Sequence, residues 1–292
     1  MIEVHETAAD LRAALEVARR NGKGIGLVPT MGALHAGHAS LIERAAADCD
    51  VVVVTVFVNP LQFGAGEDLD AYPRSLAADI FLADERGAHH VFAPSTEEMY
   101  GDGTLTTVTV DGPLTRVLEG ASRPTHFDGV TTVVAKLFSI VGPCTAYFGE
   151  KDFQQLAVVR RMAADLSMPV DVVGCPTVRD ADGLALSSRN AYLEPDERRV
   201  AALLHRALVA GADCIRNGER DPKVVEQAMA EVLRTEPRFQ LDYAAVVDAA
   251  TFATPDPLDG ELRLLGAARL GKARLIDNLG VTVSDGAHRL GE

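Results

Sequence analysis

The residues best suited to chemistry lie in VPTMGALHAGHASL, residues 28–41, where two histidines stand three positions apart. The segment is typical of the end of a buried strand, a tight turn with glycine and the start of a helix. His35 and His38 would share one face of the first helical turn, with Gly37 between them. Because a helix N-terminus presents free N–H groups and the positive end of a dipole, the segment predicts a binding site for a polyphosphate.

Metal binding is one alternative for two histidines at this spacing. Zinc needs a third ligand, usually with a carboxylate or cysteine partner, and none is placed obviously nearby. A helix cap or a partly buried ring is the structural alternative for each histidine alone. The pair flanking a glycine after a strand favours phosphate binding over both alternatives.

A second polar segment is FGEKD, residues 148–152. Lys151 falls in the first turn of a predicted helix that follows a strand, and a lysine there reaches phosphate oxygens. Asp152 is suited to accept a hydrogen bond from a ribose or to hold magnesium. A helix cap by Asp152 beside a solvated lysine explains the segment equally well.

A third segment is DGLALSSRN, residues 182–190. It is predicted to be a flexible, glycine-containing loop that closes onto a triphosphate. Arg189 offers a rigid set of N–H donors, and Ser187 and Ser188 offer hydroxyl and backbone donors. Taken alone, the segment is better explained as an ordinary turn before the next helix.

Four side chains are predicted to contact a small polar substrate, and each is a weak signal alone: Gln62, Gln155, Arg123 and His126. The glutamines suit hydroxyl and carboxylate groups, and the arginine suits an anion. Residues 120–130 are interpreted as a substrate-facing loop that leads into a helix. The candidate magnesium ligands are Asp79 and Asp152.

The elements that must position these residues alternate between short apolar strands and amphipathic helices. This alternation predicts βαβ units, a parallel sheet and right-handed crossovers. Ligands of such sheets bind beyond the carboxyl ends of the strands. Four polar clusters fall there, each after a predicted strand: His35 with His38, residues 59–62, residues 149–152 and the loop 177–190. The predicted strands are 24–29, 51–58, 90–92, 145–148 and 170–173, and the helices 11–20, 37–47, 75–86, 130–141 and 153–166.

The pattern changes after about Arg179. Helices over 195–217 and 222–234 are followed by a strand over 240–248 and a hairpin, 263–270 with 273–277, which predicts an α+β region. We therefore predict an α/β domain over residues 1–177 and a smaller α+β domain over 178–292, which begins with a hinge or lid loop, 178–194. The end of the chain, 284–292, is predicted to be frayed.

Bulk properties exclude several classes of function. A formal net charge of −14 argues against a nucleic-acid surface and an anionic membrane surface. The most apolar run, Val51–Val58, is too short to span a bilayer, and the N-terminus lacks a signal-peptide pattern. Four scattered cysteines without a CxxC pair indicate a reducing cytosol, so a cytoplasmic location is expected. The sequence also lacks a P-loop, a dinucleotide fingerprint and a GxSxG elbow.

Five motifs stand in the order and spacing of one family: PTMGALHAGHASL, FVNPLQF, RPTHFDGV, FGEKDFQQ and DGLALSSRNAYL. On them the chain resembles the pantothenate synthetase (pantoate–β-alanine ligase) family over nearly its whole length. HxGH alone would mark only the wider nucleotidyltransferase group. The resemblance implies a Rossmann-like N-terminal domain, a smaller C-terminal domain and a homodimer. It implies that ATP, (R)-pantoate and β-alanine give pantothenate, AMP and pyrophosphate, with Mg²⁺ and no organic cofactor.

The resemblance also implies residue roles. Pantoate would contact Gln62 and Gln155, with Gln62 also near β-alanine, and His38 matches the position assigned as proton donor. Leu186 replaces the usual methionine; the change is nearly isosteric, so a backbone contact to ATP would survive. ATP would be bound by Pro29, Thr30, Met31, Gly32, Ala33, Leu34, His35, Ala36, Gly37, His38, Gly149, Glu150, Lys151, Asp152, Val178, Leu186, Ser187, Ser188 and Arg189.

The implied chemistry is an adenylation followed by an acyl transfer. Preorganised cations aimed at the α-phosphoryl oxygens and the leaving group are expected to supply most of the acceleration. The base of the second step is left open between His38 and a water molecule. Two rivals stay open, a nucleotidyltransferase with a phosphorylated acceptor and an ATP-binding regulatory module. The predicted stabilising groups are His35, His38, Lys151, Ser187, Ser188, Arg189 and magnesium.

Overall fold

The computed structural model describes residues 2–64, 66–103 and 105–283, and the chain divides into two compact units, 1–178 and 179–292. The predicted frayed end, 284–292, lies outside the described residues. In the described part of the chain, no helix has both the length and the apolar character that a membrane crossing requires.

The first unit is built around a six-stranded sheet with the order β1-β4-β3-β2-β5-β6, and every paired strand runs parallel to its neighbour. Its strands are β1 (Glu3–His5), β2 (Ile25–Thr30), β3 (Val51–Val56), β4 (His90–Phe92), β5 (Cys144–Gly149) and β6 (Val170–Cys175). Its helices are α1 (Ala8–Arg20), α2 (Ala36–Asp48), α3 (Leu76–Glu85), α4 (Thr96–Tyr100), α5 (Pro113–Arg116), α6 (Glu119–Ser122), α7 (His126–Val141) and α8 (Phe153–Asp165).

The central strands explain why the sheet is parallel and covered on both faces. In β3, Val51–Val54 are all buried, as expected for a strand with helices on either side. Strand β2 pairs with β3 on one side and with β5 on the other, so the strand order reverses beside β2. That reversal is the switch point at which α/β sheets bind ligands, and the segments after β2 and β5 meet there.

The predicted fold class is confirmed, but two parts of the first unit were predicted wrongly. Strand β1 is missing from the prediction because Glu3–His5 contains a single apolar residue, Val4, and so gives no apolar run. Residues 120–130 are not a loop, because α6 ends at Ser122 and α7 begins at His126, four residues before the predicted start. A Cβ at Gly120 would overlap the carbonyl of Thr115, so α5 and α6 approach each other backbone to backbone.

The second unit packs helices against an antiparallel sheet with the order β7-β8-β9, as predicted for an α+β region. The hairpin around Gly271 and Lys272 is confirmed, with Leu270 opposite Ala273. The predicted helix 195–217 is broken at Ala201–Ala202, where the sequence has neither proline nor glycine to mark a break. The elements are α9 (Pro195–Val200), α10 (Leu203–Arg216), α11 (Pro222–Arg234), β7 (Phe239–Asp248), β8 (Gly260–Leu270) and β9 (Ala273–Val283).

Candidate active site

The turn that leaves β2 is held by a carboxylate from a distant helix. Gly32 and Ala33 both have positive φ angles, of 81° and 50°. Asp79 of α3 is 3% exposed; its Oδ2 accepts a hydrogen bond from the Ala33 N–H at 3.1 Å and its Oδ1 one from the Leu34 N–H at 2.7 Å. A Cβ at Gly32 would lie 2.8 Å from Asp79 Oδ2, so the close approach requires glycine. Asp79 therefore fixes the path of the chain into the HAGH segment.

The two histidines of HAGH cap the helix that carries them. His35 is the N-cap of α2, and its Nδ1 accepts a hydrogen bond from the Gly37 N–H at 3.1 Å. The Nδ1 of His38 accepts one from the His35 N–H at 3.3 Å. The ring centroids are 4.2 Å apart. With both Nδ1 atoms accepting backbone protons, each neutral ring carries its own proton on Nε2.

The histidines are neutral at physiological pH. Burial lowers the pKa of His35 to about 4, with the Lys151 ammonium adding to the effect and Asp152 opposing it. Burial and then His35 lower the pKa of His38 to about 3. The prediction that these rings act as cations is therefore wrong for the free protein. Each neutral ring is a preoriented N–H donor that can bond to a phosphate oxygen. A neutral donor also avoids placing a second positive charge beside Lys151.

Lys151 and Asp152 reach the same site from the end of β5. A 3-10 turn, Glu150–Asp152, follows the strand, and α8 starts directly after it. The Lys151 side chain is 19% exposed and its Nζ lies 3.5 Å from Asp152 Oδ1. The charges of both residues affect the pKa values of His35 and His38, so the structure brings these four residues together.

Gln62 joins the site from the end of β3. It ends a 3-10 turn, Pro60–Gln62, and its Nε2 donates to the Sδ of Met31 at 3.0 Å. The buried Asn59 donates to the Gln62 Oε1 at 3.1 Å, and the Asn59 Oδ1 accepts from the Tyr100 hydroxyl at 2.7 Å. These bonds orient the Gln62 amide so that its N–H₂ group is the end directed at Met31. Tyr100 is a contributor that the sequence analysis missed.

Arg123 and His126 lie behind Gln62. Two Arg123 nitrogens donate to the two carboxylate oxygens of Glu67, each at 2.6 Å, and one also donates to the Gln62 carbonyl at 3.1 Å. Burial raises the pKa of Glu67, but the Arg123 hydrogen bond and charge outweigh it and leave that pKa lowered. The Nδ1 of the buried His126 lies 3.0 Å from the same Gln62 carbonyl. Glu67 therefore neutralises the charge of Arg123, and Arg123 and His126 both contact the Gln62 carbonyl and so position Gln62.

The adjacent glutamines of α8 have different roles. Gln154 is buried, and its amide group bonds to Leu114, Val117 and Glu119, which fixes the short helices α5 and α6. Gln155 is half-buried and has no side-chain hydrogen bond to the described residues. It is thus the glutamine of the pair that stays available to a ligand.

The loop that was predicted to be flexible is tied down within the second unit. Residues 180–184 form a tight turn, and Arg179 pairs with Ala185. Two Arg179 nitrogens donate to the buried Asp277 carboxylate, at 2.6 and 2.9 Å. Ser187 caps a 3-10 turn, Ser188–Tyr192, by accepting from the Arg189 N–H. The first half of the loop is therefore anchored to the second unit through Arg179.

The two candidate magnesium ligands differ in their surroundings. Each oxygen of Asp79 accepts one backbone N–H, so Asp79 holds the turn, and its assignment to magnesium stays a prediction. Asp152 is half-exposed beside Lys151. Magnesium at nucleotide sites is commonly held by one or two carboxylates together with substrate phosphates, and Asp152 fits that donor set.

A parallel α/β sheet with two imidazole donors and a lysine at its switch point defines the class of HxGH nucleotide-binding enzymes. The family model described as pantoate-beta-alanine ligase matches residues 3–280. A pantothenate synthetase of Moorella thermoacetica is 51% identical over 97% of this chain and 100% of its own length. One of Rubrobacter xylanophilus is 54% identical over 91% of this chain and 95% of its own length.

Solved structures agree with these relatives. A crystal structure of pantothenate synthetase from Thermus thermophilus matches with a TM-score of 0.91 and 51% identity, and covers 95% of this chain and 99% of that chain. That of a Francisella tularensis pantoate-beta-alanine ligase, complexed with beta-gamma ATP and beta-alanine, matches with a TM-score of 0.78 and 32% identity, over 96% and 97% of the two chains. The chain belongs to the pantoate–β-alanine ligase family, and it is an enzyme.

Proposed function

We propose that this chain condenses (R)-pantoate with β-alanine in two steps, through a pantoyl adenylate, and releases pyrophosphate and AMP. The overall ATP-dependent ligation is the reaction of the family to which the chain belongs. The observation that carries the mechanism is the cap of α2, in which backbone N–H groups hold both Nδ1 atoms and leave two Nε2–H donors.

In the first step, a pantoate carboxylate oxygen attacks the α-phosphorus of ATP, and the bond to the bridging oxygen of pyrophosphate breaks. Pyrophosphate leaves with the electron pair, so no proton is required. The Nε2–H groups of His35 and His38 donate to phosphate oxygens as charge builds on them, and Lys151 supplies the positive charge. The amide of Gln62, with that of Gln155, orients the pantoate.

In the second step, the amine of β-alanine attacks the acyl carbon of the adenylate, and AMP leaves. The amine must lose a proton. His38 does not fit the role of base, because its Nδ1 is occupied by the His35 N–H and its Nε2 carries a proton. Of the two candidate bases, His38 and a water molecule, we therefore assign proton removal to the water molecule.

The remaining roles rest on the family resemblance. Ser187, Ser188 and Arg189 bind phosphate oxygens, and Leu186 and Val178 contribute backbone contacts to ATP. Asp152 would hold magnesium together with substrate phosphates, and the ion would supply positive charge for the leaving group. A homodimer in the cytoplasm and a lid function for the loop 178–194 stay predictions.

The test of the function is incubation of the chain with ATP, pantoate and β-alanine. AMP and pyrophosphate formation is expected, together with pantoate-dependent exchange of labelled pyrophosphate into ATP without β-alanine. ADP as the product would refute the adenylation mechanism. The absence of any product would favour an ATP-binding module.

Two variants test the assigned residues. Lys151→Met should lower the rate of pyrophosphate exchange on the order of 10²–10³-fold, as loss of one charge-stabilising donor does elsewhere. His38→Asn keeps an acceptor for the His35 N–H, but its shorter side chain does not carry a donor to the position of the His38 Nε2. The variant should therefore lose activity on a similar scale without loss of helix content. The exposed Lys223 provides a control, Lys223→Met. Full exchange activity in either site variant would contradict the assignment.

A further inference from the structure

A second group of ligand-type side chains lies at the outer edge of the sheet, away from the HAGH segment. Within the described part of the chain, one set of three metal-ligating residues has its donor atoms within 4.8 Å of one another, and it consists of Glu3, His5 and His90. Glu3 and His90 are register partners in the β1–β4 ladder. His5 follows Glu3 by two positions, so it projects from the same face of β1. The three side chains therefore converge because of strand pairing.

We propose that Glu3, His5 and His90 form a binding site for one divalent transition-metal ion of the zinc type. The Nε2 of His5 lies 3.0 Å from the Nδ1 of His90, and Glu3 Oε2 lies 3.8 Å from the first nitrogen and 3.7 Å from the second. A triangle with these sides has a circumscribed radius of about 2.0 Å, which is the usual length of zinc–nitrogen and zinc–oxygen bonds. The triangle is acute, so the point equidistant from the three donors lies between them.

The donor set matches this class of ion. Two imidazole nitrogens and one carboxylate oxygen suit zinc and its neighbours in the first transition row, and they are a poor set for magnesium or calcium, which prefer oxygen ligands alone. In a tetrahedral ion, the fourth position would be taken by water.

The exposure of the three side chains indicates a site that is open to solvent on the side of Glu3. The side chains of His5 and His90 are 10% and 13% exposed, whereas that of Glu3 is 66% exposed. The rings are thus held by their surroundings, and the carboxylate can swing onto an ion that arrives from solvent. Without an ion, the facing nitrogens of His5 and His90 can share only one proton, whereas an ion satisfies both lone pairs.

The site is distinct from the catalytic one. The cluster lies on β1 and β4, which at a strand spacing of about 4.8 Å are roughly 14 Å and 10 Å from β2, the strand that leads to HAGH. A bound ion would join the short edge strand β1 to β4. Its effect should therefore appear in stability and not in the rate of ligation.

The experiment is a zinc titration of the EDTA-treated full chain, followed by calorimetry and by thermal unfolding. We expect one zinc ion per chain at this site and a Tm that rises with free zinc. Glu3→Gln changes an exposed residue and should fold normally. Its dissociation constant for zinc should rise by at least about tenfold, because substitution of a residue that only hydrogen-bonds to a metal ligand already weakens metal binding by that factor. Glu6→Gln, three positions along and outside the cluster, is the matched control.

The outcomes separate this site from other ligands in the chain. Zinc bound with unchanged affinity in Glu3→Gln, for example by the HAGH histidines or the thiols, would overturn the proposal. So would the absence of zinc uptake by the parent chain. Loss of tight binding in both Glu3→Gln and His90→Asn, with the parent affinity in Glu6→Gln, would support it, and ligase activity without zinc should be the same in Glu3→Gln and in the parent.

Discussion

The role of Asp79 can be separated from magnesium binding by a single substitution. In Asp79→Asn, one side-chain oxygen still accepts a backbone N–H, but the new amide group faces the other N–H of the pair formed by Ala33 and Leu34. A half-buried donor left without an acceptor costs about 1–3 kcal/mol. Burial raises the pKa of Asp79 despite its two backbone partners, so the ionised form carries a desolvation cost that asparagine avoids. We therefore expect a loss near the middle of that range, about 2 kcal/mol.

The assay combines unfolding with kinetics. A loss of about 2 kcal/mol should lower the Tm by about 4–8 °C in a unit of this size. kcat/KM should fall by about tenfold or more, because the turn that aims His35 shifts. The magnesium concentration at half-maximal rate should not change. The exposed Asp84 of the same helix gives the control, Asp84→Asn. A parent-like Tm with a raised magnesium requirement would refute the turn-anchor role and support Asp79 as a metal ligand.

Three further predictions concern the contacts of the site. The pKa values of His35, His38 and His126 are lowered to about 4, 3 and 4 in the folded chain, so the unfolded chain binds more protons below about pH 6.5. The free energy of unfolding should therefore fall as the pH drops from about 6.5 towards 4. Urea unfolding that gives the same free energy at about pH 6.5 and about pH 5 would contradict this. Glu67→Gln weakens the Arg123 pair behind Gln62 and should lower kcat/KM for the acid substrates by about 5–30-fold, or about 1–2 kcal/mol, whereas the exposed control Glu85→Gln should not; equal values for the two variants would remove Glu67 from the site. Proteolytic cleavage between Ala185 and Arg189 should slow when ATP is added, and an unchanged cleavage rate would count against a lid.

Local sequence signals predicted what depends on neighbours along the chain. The HAGH cap, the end of β5 and the hairpin at Gly271 each form within a few residues, so periodicity and turn chemistry were enough to place them. The ion pair of Arg123 was not predicted because its partner, Glu67, lies 56 positions away and nothing in the sequence links the two. The role of Asp79 in the turn was not predicted for the same reason, since that turn lies 45 positions earlier in the chain. A charged residue near a motif is therefore a weaker prediction than the motif itself.

The rigidity of the substrate pocket has a further origin in α7. A Cβ at Gly129 would overlap the Leu61 carbonyl, and Asn59 donates to the Gly129 carbonyl at 3.0 Å, so the helix rests directly on the turn that carries Gln62. The position of Gln62 is therefore fixed by the packing of its turn against the core helix α7. Inhibitors that rely on displacing Gln62 would therefore have to displace α7 as well. Changes in acid specificity should therefore arise from substitutions that line the pocket more readily than from changes in loop length around it.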